Sequence, residues 1–332
     1  MTVRRVSIAL ATYNGARFLA EQLESYAAQT RLPDELVVGD DSSSDETHQI
    51  LADFAARAPF PVSVTVNRPG LGPGANFIET ALRCSGDVLF FSDQDDRWHP
   101  EKVERMLAVL EAAPNHWLAL HDAALMDGEG RLLGPTLVSQ MVSAGEEPVL
   151  AHISGCCMAI DARLAALFDV KPEVRLHDAW IGTLSRALGL TCVTPDVLID
   201  YRRHGNNVSE SFVAQTHKAT RLDVFRQRLR VARQEPVAKA LRITLDESEA
   251  AILALDRHRF VLEQVVAASK IASVRESYVA GAARARRRLA VDVARGLGRV
   301  RPLLRCAASG DYLGLNGMVR LTRDLGLIGS NS

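Results

Sequence analysis

No apolar run in the 332-residue sequence approaches the roughly 18 residues that a membrane-spanning helix requires. The longest, such as Val88-Leu89-Phe90-Phe91, are strand-sized. Near the N-terminus Asn14 and Arg17 interrupt the apolar residues too early for the core of a secretory signal, so none is expected. The five cysteines (84, 156, 157, 192 and 306) are odd in number and form no CxxC pair. A disulfide framework or structural zinc site is therefore not expected, and a reducing cytoplasm is. Internal repeats and low-complexity tracts are absent. A composition of 47% hydrophobic residues with a net charge of −1 also lacks the low hydrophobicity and high charge of a disordered chain. The length suits roughly two domains.

The small net charge conceals an asymmetry. Residues 1–216 carry 17 Lys and Arg against 29 Asp and Glu, whereas residues 217–332 carry 22 against 11. An acidic front half argues against nucleic acid as its partner and suits bound cations. The basic rear half suits an anionic membrane, nucleic acid or docking on the acidic half.

The front half alternates strand and helix signals. Val6–Leu10, Leu36–Val38, Pro61–Val66 and Val88–Phe91 read as strands. Between them lie the helical stripe of Phe18, Leu19, Leu23, Tyr26 and Ala27, the Ile50-Leu51-Phe54 stripe, and a segment over 75–83 that follows a Gly/Pro cluster. Ser43 with Glu46 is the expected capping box of the second helix. Pro100 suits the first turn of a fourth helix containing Val103, Met106, Leu107 and Leu110. Alternation of this kind predicts an α/β fold with a mostly parallel sheet whose ligands sit beyond the strand carboxyl ends.

The polar clusters fall at those ends. Asp93-Gln94-Asp95-Asp96 follows an apolar strand, and three carboxylates so close repel one another unless a cation or water relieves them. Such hard oxygen ligands suit Mg²⁺ or Mn²⁺, while a solvated helix-capping turn is the alternative. At Asp40-Asp41 a carboxylate is suited to accept hydrogen bonds from a base or ribose, with Asp41 the candidate ligand and Asp45 the capping residue. Gly70-Leu71-Gly72-Pro73-Gly74 offers backbone N–H groups to a diphosphate or is an ordinary turn, and Asn76 just beyond it is a candidate polar contact. Asp178 in His177-Asp178-Ala179-Trp180 reads as a helix N-cap or as a general base. Tyr201-Arg202-Arg203-His204-Gly205-Asn206-Asn207 reads as a basic loop or as a supply of imidazole to a metal and guanidinium to phosphate.

Six motifs in order over residues 1 to about 212 resemble the family 2 glycosyltransferases of the GT-A fold. They are Ala11-Thr12-Tyr13-Asn14-Gly15, Asp40-Asp41-Ser42-Ser43-Ser44-Asp45, Phe91-Ser92-Asp93-Gln94-Asp95-Asp96-Arg97-Trp98, Ser154-Gly155-Cys156-Cys157, His177-Asp178-Ala179-Trp180 and the Tyr201–Asn207 segment. The third and sixth resemble the rhamnosyltransferase-like branch that builds bacterial surface polysaccharides.

The resemblance implies a Rossmann-like GT-A domain over 1–212 and an inverting, metal-dependent transfer of a sugar, rhamnose for that branch. The donor would be a dTDP-, UDP- or GDP-linked sugar, and the acceptor a hydroxyl of a glycan or a lipid-linked molecule. Thr12, Tyr13 and Asp41 would hold the nucleoside, with Asp93 near the ribose. Asp95 and His204 would hold Mg²⁺ or Mn²⁺, and Gly155 would lie close to donor and acceptor. Asp178 would be the catalytic base, and Arg202 or Arg203 would steady the leaving diphosphate. Ala179 departs from the large residue common at that position, which bears on acceptor or sugar preference.

Residues 213–332 read as a basic helical region, with stripes at Leu222-Phe225-Leu229, Ile252-Leu255-Phe260-Val261 and Val274-Tyr278 and a cluster at Arg284, Arg286, Arg287 and Arg288. It is expected either to pack on the catalytic domain or to rest on anionic lipid at the inner membrane face. Two rival functions are a non-catalytic nucleotide-sugar binder and a sugar nucleotidyltransferase. The second would need a glycine-rich loop with a basic residue after strand one, which Ala11-Thr12-Tyr13-Asn14 lacks; the joint presence of Asp95, Asp178 and His204 argues against the first.

Overall fold

The computed structural model describes residues 4–145, 154–171, 174, 176–204, 236–294, 296–313 and 317–325, with 220, 222, 223, 226 and 230. The expected boundary at 212/213, the Gly205-Asn206-Asn207 turn, and Phe225 and Leu229 lie outside these residues. The chain divides into two compact units, Met1–Lys171 with Leu176–Arg221, and Pro172–Arg175 with Leu222–Ser332.

In the first unit the described strands form one sheet. A parallel half comes first: β1 (Val6–Thr12), β2 (Glu35–Asp40), β3 (Val62–Val66) and β4 (Val88–Ser92), in the order β3-β2-β1-β4. β1, β2 and β4 are buried almost throughout, as strands covered by helices on both faces must be. The crossovers carry α1 (Leu19–Ala27), α2 (Thr47–Ala55) and α3 (Pro73–Arg83). α1 buries Leu19, Leu23 and Tyr26, the predicted stripe. Under α3 the sheet must be bare, because a Cβ on Gly39 would lie 2.3 Å from Asn76 Oδ1 and 2.1 Å from Thr80 Oγ1. The expected Ser43–Glu46 capping box does not form. Ser43 instead donates to Asp40 at 2.5 Å, and Asp45 takes the Thr47 N–H that opens α2 at 3.1 Å.

The second half of the sheet changes direction. After the short β5 (Arg97–Trp98) and α4 (Lys102–Ala112) come β6 (Leu118–Met126), β7 (Leu132–Thr136), α5 (Leu137–Ser143), β8 (Met158–Asp161), α6 (Ala162–Ala165), α7 (His177–Leu188) and β9 (Thr191–Arg202). β8 joins β4 and β6 antiparallel, β9 runs parallel to β6, and β5 clasps the far end of β9.

Register decides what meets at the rim. Thr12 pairs with Asp40 and Leu10 with Ser92, so the residues following β1, β2 and β4 emerge together. Arg97 pairs with Asp200 and Met126 with Arg202, which draws the end of β9 to the turn after β4. β8 is antiparallel to β4, so the single turn Gly155–Cys157 before it also lies at the β4 carboxyl end.

The second unit is helical where described. Val237–Arg257 packs on Ala268–Val293 through Leu241, Ala251 and Leu255 on one side and Ile271, Val274, Ala282 and Ala285 on the other. Val300–Ala308 and Gly317–Asp324 follow. Among the described residues no helix is long and apolar enough to cross a membrane.

Candidate active site

At the end of β1 the Thr12 hydroxyl donates to Asp40 at 2.8 Å, and its carbonyl accepts the Asp41 N–H at 2.8 Å. Both Thr12 and Asp40 are buried. Burial alone would raise the Asp40 carboxyl, but hydrogen bonds from Ser43, His48 and Thr12 outweigh it and hold the group below the ordinary carboxylate range. Thr12, expected against the nucleoside, therefore has its side chain committed to the wall of the cleft. The next residue does face outward: the Tyr13 ring is 59% exposed, and its backbone is held at both N–H (2.9 Å) and carbonyl (3.0 Å) by the Gln94 amide. Gln94 thus ties the turn after β1 to the acidic turn after β4.

The Asp41 carboxylate accepts the backbone N–H groups of Leu71 (2.6 Å) and Gly72 (2.8 Å) and the Asn67 amide (3.2 Å). The glycine-rich loop is thereby fastened to the end of β2. Asn76 differs from expectation. It is buried, its amide donates to Gly39 O at 2.8 Å, and its oxygen accepts from Asn67 at 2.9 Å. It joins α3 to β2 and presents nothing to a donor.

The acidic turn is clamped from β9. Asp95 Oδ2 lies 2.7 Å from His204 Nε2, and the imidazole stacks on Phe18 with centroids 4.9 Å apart. Arg202, only 2% exposed, gives its backbone N–H to Asp96 Oδ1 (2.9 Å) and its Nε to the Asp95 carbonyl (2.7 Å). Its guanidinium also pairs with Glu21 and lies over Phe18. Glu21 meets Arg97, which holds Asp200 through two nitrogens at 2.9 and 2.7 Å. Arg202 is therefore a brace beneath the turn, not the diphosphate contact expected of it. Arg203 points the other way, half-exposed over the Tyr201 ring.

The third side comes from Gly155 and α7. Asp178 lies in the first turn of α7, with Leu176 at the cap position, so it is not the N-cap that its sequence position suggests. Its Oδ2 accepts the Gly155 N–H at 2.9 Å and its Oδ1 the Ala179 N–H at 2.7 Å. Only glycine fits opposite, because a Cβ on residue 155 would come 2.7 Å from His177 Nε2. His177 is itself wedged against Phe77 (4.0 Å) and Phe91 (4.5 Å), and burial pushes its imidazole down to about 4. Lys102 underlies this corner: fully buried, it donates to Cys156 O at 2.5 Å and sits 3.8 Å from the Trp98 ring centre. Burial lowers its amine to about 8.

Asp93 lies between the two sides. Burial first, then the negative charges of Asp95 and Asp178, push its carboxyl up to about 7. Burial and the charges of Asp95 and Asp93 likewise raise Asp96, whose Oδ2 has no partner among the described residues. So much buried negative charge fits a divalent cation. Ligand atoms of Asp93, Asp96 and Cys156 lie within 4.8 Å of one another. Burial raises the Cys156 thiol, however, so it stays protonated and is a poor ligand for a hard cation. Asp95 and His204, the pair expected to hold a metal, are hydrogen-bonded to one another next to this group. Sequence reasoning assigned no role to Glu21, Gln94, Lys102 or His177; Gln94 and His177 stand inside quoted motifs, but only packing reveals what any of the four does.

Residues 7–160 match the family model for glycosyl transferase family 2. An uncharacterized glycosyltransferase of Haemophilus influenzae is 31% identical over 204 residues, 58% of this chain and 72% of that protein. The dTDP-rhamnosyl transferase RfbG of Shigella flexneri is 34% identical over 106 residues, 30% of this chain and 36% of that one. In fold, the chain is similar to S. aureus TarS 1-349 in complex with UDP-GlcNAc, at a TM-score of 0.53 and 15% identity over 83% of this chain and 92% of that one. The chain belongs to glycosyltransferase family 2. It spans 63% of the length of the mycobacterial relatives it matches at 24% identity.

Proposed function

We propose that this chain is an inverting glycosyltransferase that moves a sugar from a nucleotide-sugar to a hydroxyl of a glycan or lipid-linked acceptor in surface polysaccharide synthesis. The observation that carries the reading is the grouping at one sheet edge of Asp178, Asp93 and the Asp95–His204 pair. Asp178 is held by two backbone N–H groups and takes the proton of the acceptor hydroxyl as its oxygen attacks the anomeric carbon. Attack comes from the face opposite the nucleotide, so configuration inverts and negative charge grows on the departing diphosphate. Asp95 and His204 hold Mg²⁺ or Mn²⁺, which when bound supplies Lewis-acid stabilisation of that charge. Arg203 adds a cation at the mouth, while Tyr13 and Asp41 flank the nucleoside. Asp93 faces the ribose, and the chain at Gly155 passes close to donor and acceptor.

For the donor we propose dTDP-rhamnose. The motif resemblance supports it, as does the likeness to a dTDP-rhamnosyl transferase over 106 residues. The assignment of transfer chemistry to residues 1–212 and of a separate role to 213–332 belongs to the same proposal. The test is a thermal-shift and turnover screen of dTDP-rhamnose, UDP-GlcNAc and GDP-mannose with and without Mg²⁺ or Mn²⁺. Metal-dependent stabilisation and hydrolysis with dTDP-rhamnose are expected. Preference for a UDP-hexose overturns the donor, and binding with no turnover of any donor overturns the enzyme. Asp178→Asn should keep donor binding and lose turnover at least a hundredfold; wild-type activity in that variant removes Asp178 as the base.

A further inference from the structure

We infer that the helix Val300–Ala308, with the turn that follows it, is a docking face for an anionic phospholipid bilayer. This rests on the second unit alone and does not depend on the glycosyl-transfer reading. Val300 and Leu304 stand one helical turn apart on the same face and are 50% and 65% exposed, and Leu313 in the following turn is 74% exposed. The opposite face of the helix is inward, with Cys306 buried. Arg301 and Arg305, also one turn apart and exposed, run alongside the apolar pair. The outer surface of this helix is thus an apolar stripe edged by guanidinium groups.

The location differs from the arginine cluster at 284–288 that the sequence suggests. Those side chains are largely turned to the unit's own acids. Arg287 holds Asp311 through two nitrogens at 2.8 and 2.6 Å, Arg288 holds Asp324 through two at 2.8 Å, and Arg286 pairs with Glu249. Asp311 and Asp324 are buried, so the pairing is internal scaffolding. Residues 284–325 nonetheless contain ten Arg against three Asp, and Arg301 and Arg305 are among those that are exposed.

Charge complementarity selects the occupant. A second copy of this chain meeting the face across a two-fold axis would set arginine against arginine. A polyanion without an apolar phase would take the arginines and leave Val300, Leu304 and Leu313 in water. A bilayer rich in anionic lipid satisfies both, with phosphates at the guanidinium groups and the aliphatic side chains at the acyl boundary.

The test is co-sedimentation of the full chain with vesicles of phosphatidylcholine alone or enriched in phosphatidylglycerol, at low and high salt. Wild type is expected to bind the anionic vesicles and to release them as salt rises. Each arginine contributes about fivefold to partitioning, so Arg301→Glu/Arg305→Glu should lower it at least twentyfold. Leu304→Ser/Leu313→Ser should lower it roughly tenfold or more while the residual binding keeps the salt response of wild type. All four residues are exposed, so circular dichroism and thermal unfolding should stay as in wild type. Absence of binding to anionic vesicles, or equal binding by wild type and both variants, overturns the inference. A concentration-dependent dimer lost in Leu304→Ser/Leu313→Ser, with no vesicle binding, assigns the face to a second copy and overturns it as well.

Discussion

Replacing Gly155 by alanine should disturb the site more than the addition of one methyl suggests. The new Cβ would lie 2.7 Å from His177 Nε2, 3.2 Å from its Cε1 and 3.3 Å from Asp178 Cβ. A flexible side-chain tip would swing away, but this imidazole is stacked on Phe77 at 4.0 Å and abuts Phe91 at 4.5 Å, so it has nowhere to go. Overpacking of this kind costs about 1–3 kcal/mol. For a unit of this size that is a fall in Tm of roughly 2–12 °C. The Gly155 N–H also anchors Asp178 Oδ2 at 2.9 Å, so relief of the clash displaces the carboxylate. A misplacement of about 1 Å costs on the order of a hundredfold in rate. Thermal unfolding and turnover of Gly155→Ala, His177→Ala and the double variant form a cycle that isolates the contact. The alanine at 155 should cost 1–3 kcal/mol beside the native imidazole, and close to nothing once His177 is gone. An equal cost in both backgrounds would refute the steric argument.

The two adjacent arginines should separate sharply. Arg202→Met removes a buried guanidinium that donates to the Asp95 carbonyl and pairs with the exposed Glu21, and should destabilise the first unit by about 1.5–3 kcal/mol in urea unfolding. Arg203→Met, half-exposed, should stay within about 1 kcal/mol. Asp95→Ala should abolish the stabilisation that Mn²⁺ or Mg²⁺ gives in a thermal shift; an unchanged shift removes Asp95 from the metal site. The Asp93 carboxyl, raised by burial and its acidic neighbours to about 7 from an ordinary 3.8, binds its proton more tightly in the folded chain. Its contribution to stability is therefore full below about pH 4 and is lost as pH rises toward 7. His177, lowered to about 4 by burial, works in the opposite sense up to about pH 6.5. Comparison with Asp93→Asn cancels the His177 effect. The variant's Tm in metal-free buffer should gain on wild type between pH 5 and 7.5, in the window set by that raised carboxyl. A constant difference would show that Asp93 ionises normally.

The parallel half of the fold was legible because β1, β2 and β4 are mostly apolar runs, β3 alternates Val with Ser and Thr, and each is followed by a helical stripe. The antiparallel half was not. β6, β8 and β9 find their partners across long separations, and their order around β4 follows from pairing that no local pattern encodes. The acids at the strand ends were visible because charge directly after a buried strand is conspicuous. Their division of labour was not. Arg202 and Arg203 are chemically alike and adjacent, but Arg202 is the last residue of β9, paired with Met126 and buried, whereas Arg203 lies just past the strand. Asn76 misled for a similar reason: its position just after a glycine-rich turn says nothing about which side of α3 it occupies.

The Asp41 carboxylate has a wider reach than one residue. Because it accepts amide hydrogens from two successive positions of the glycine-rich loop, the start of α3 is fastened through it to the tip of β2. Asp41→Ala should therefore loosen the loop and the start of the helix behind it. Loss of that one side chain would release two amide hydrogens of a segment thirty residues downstream at once.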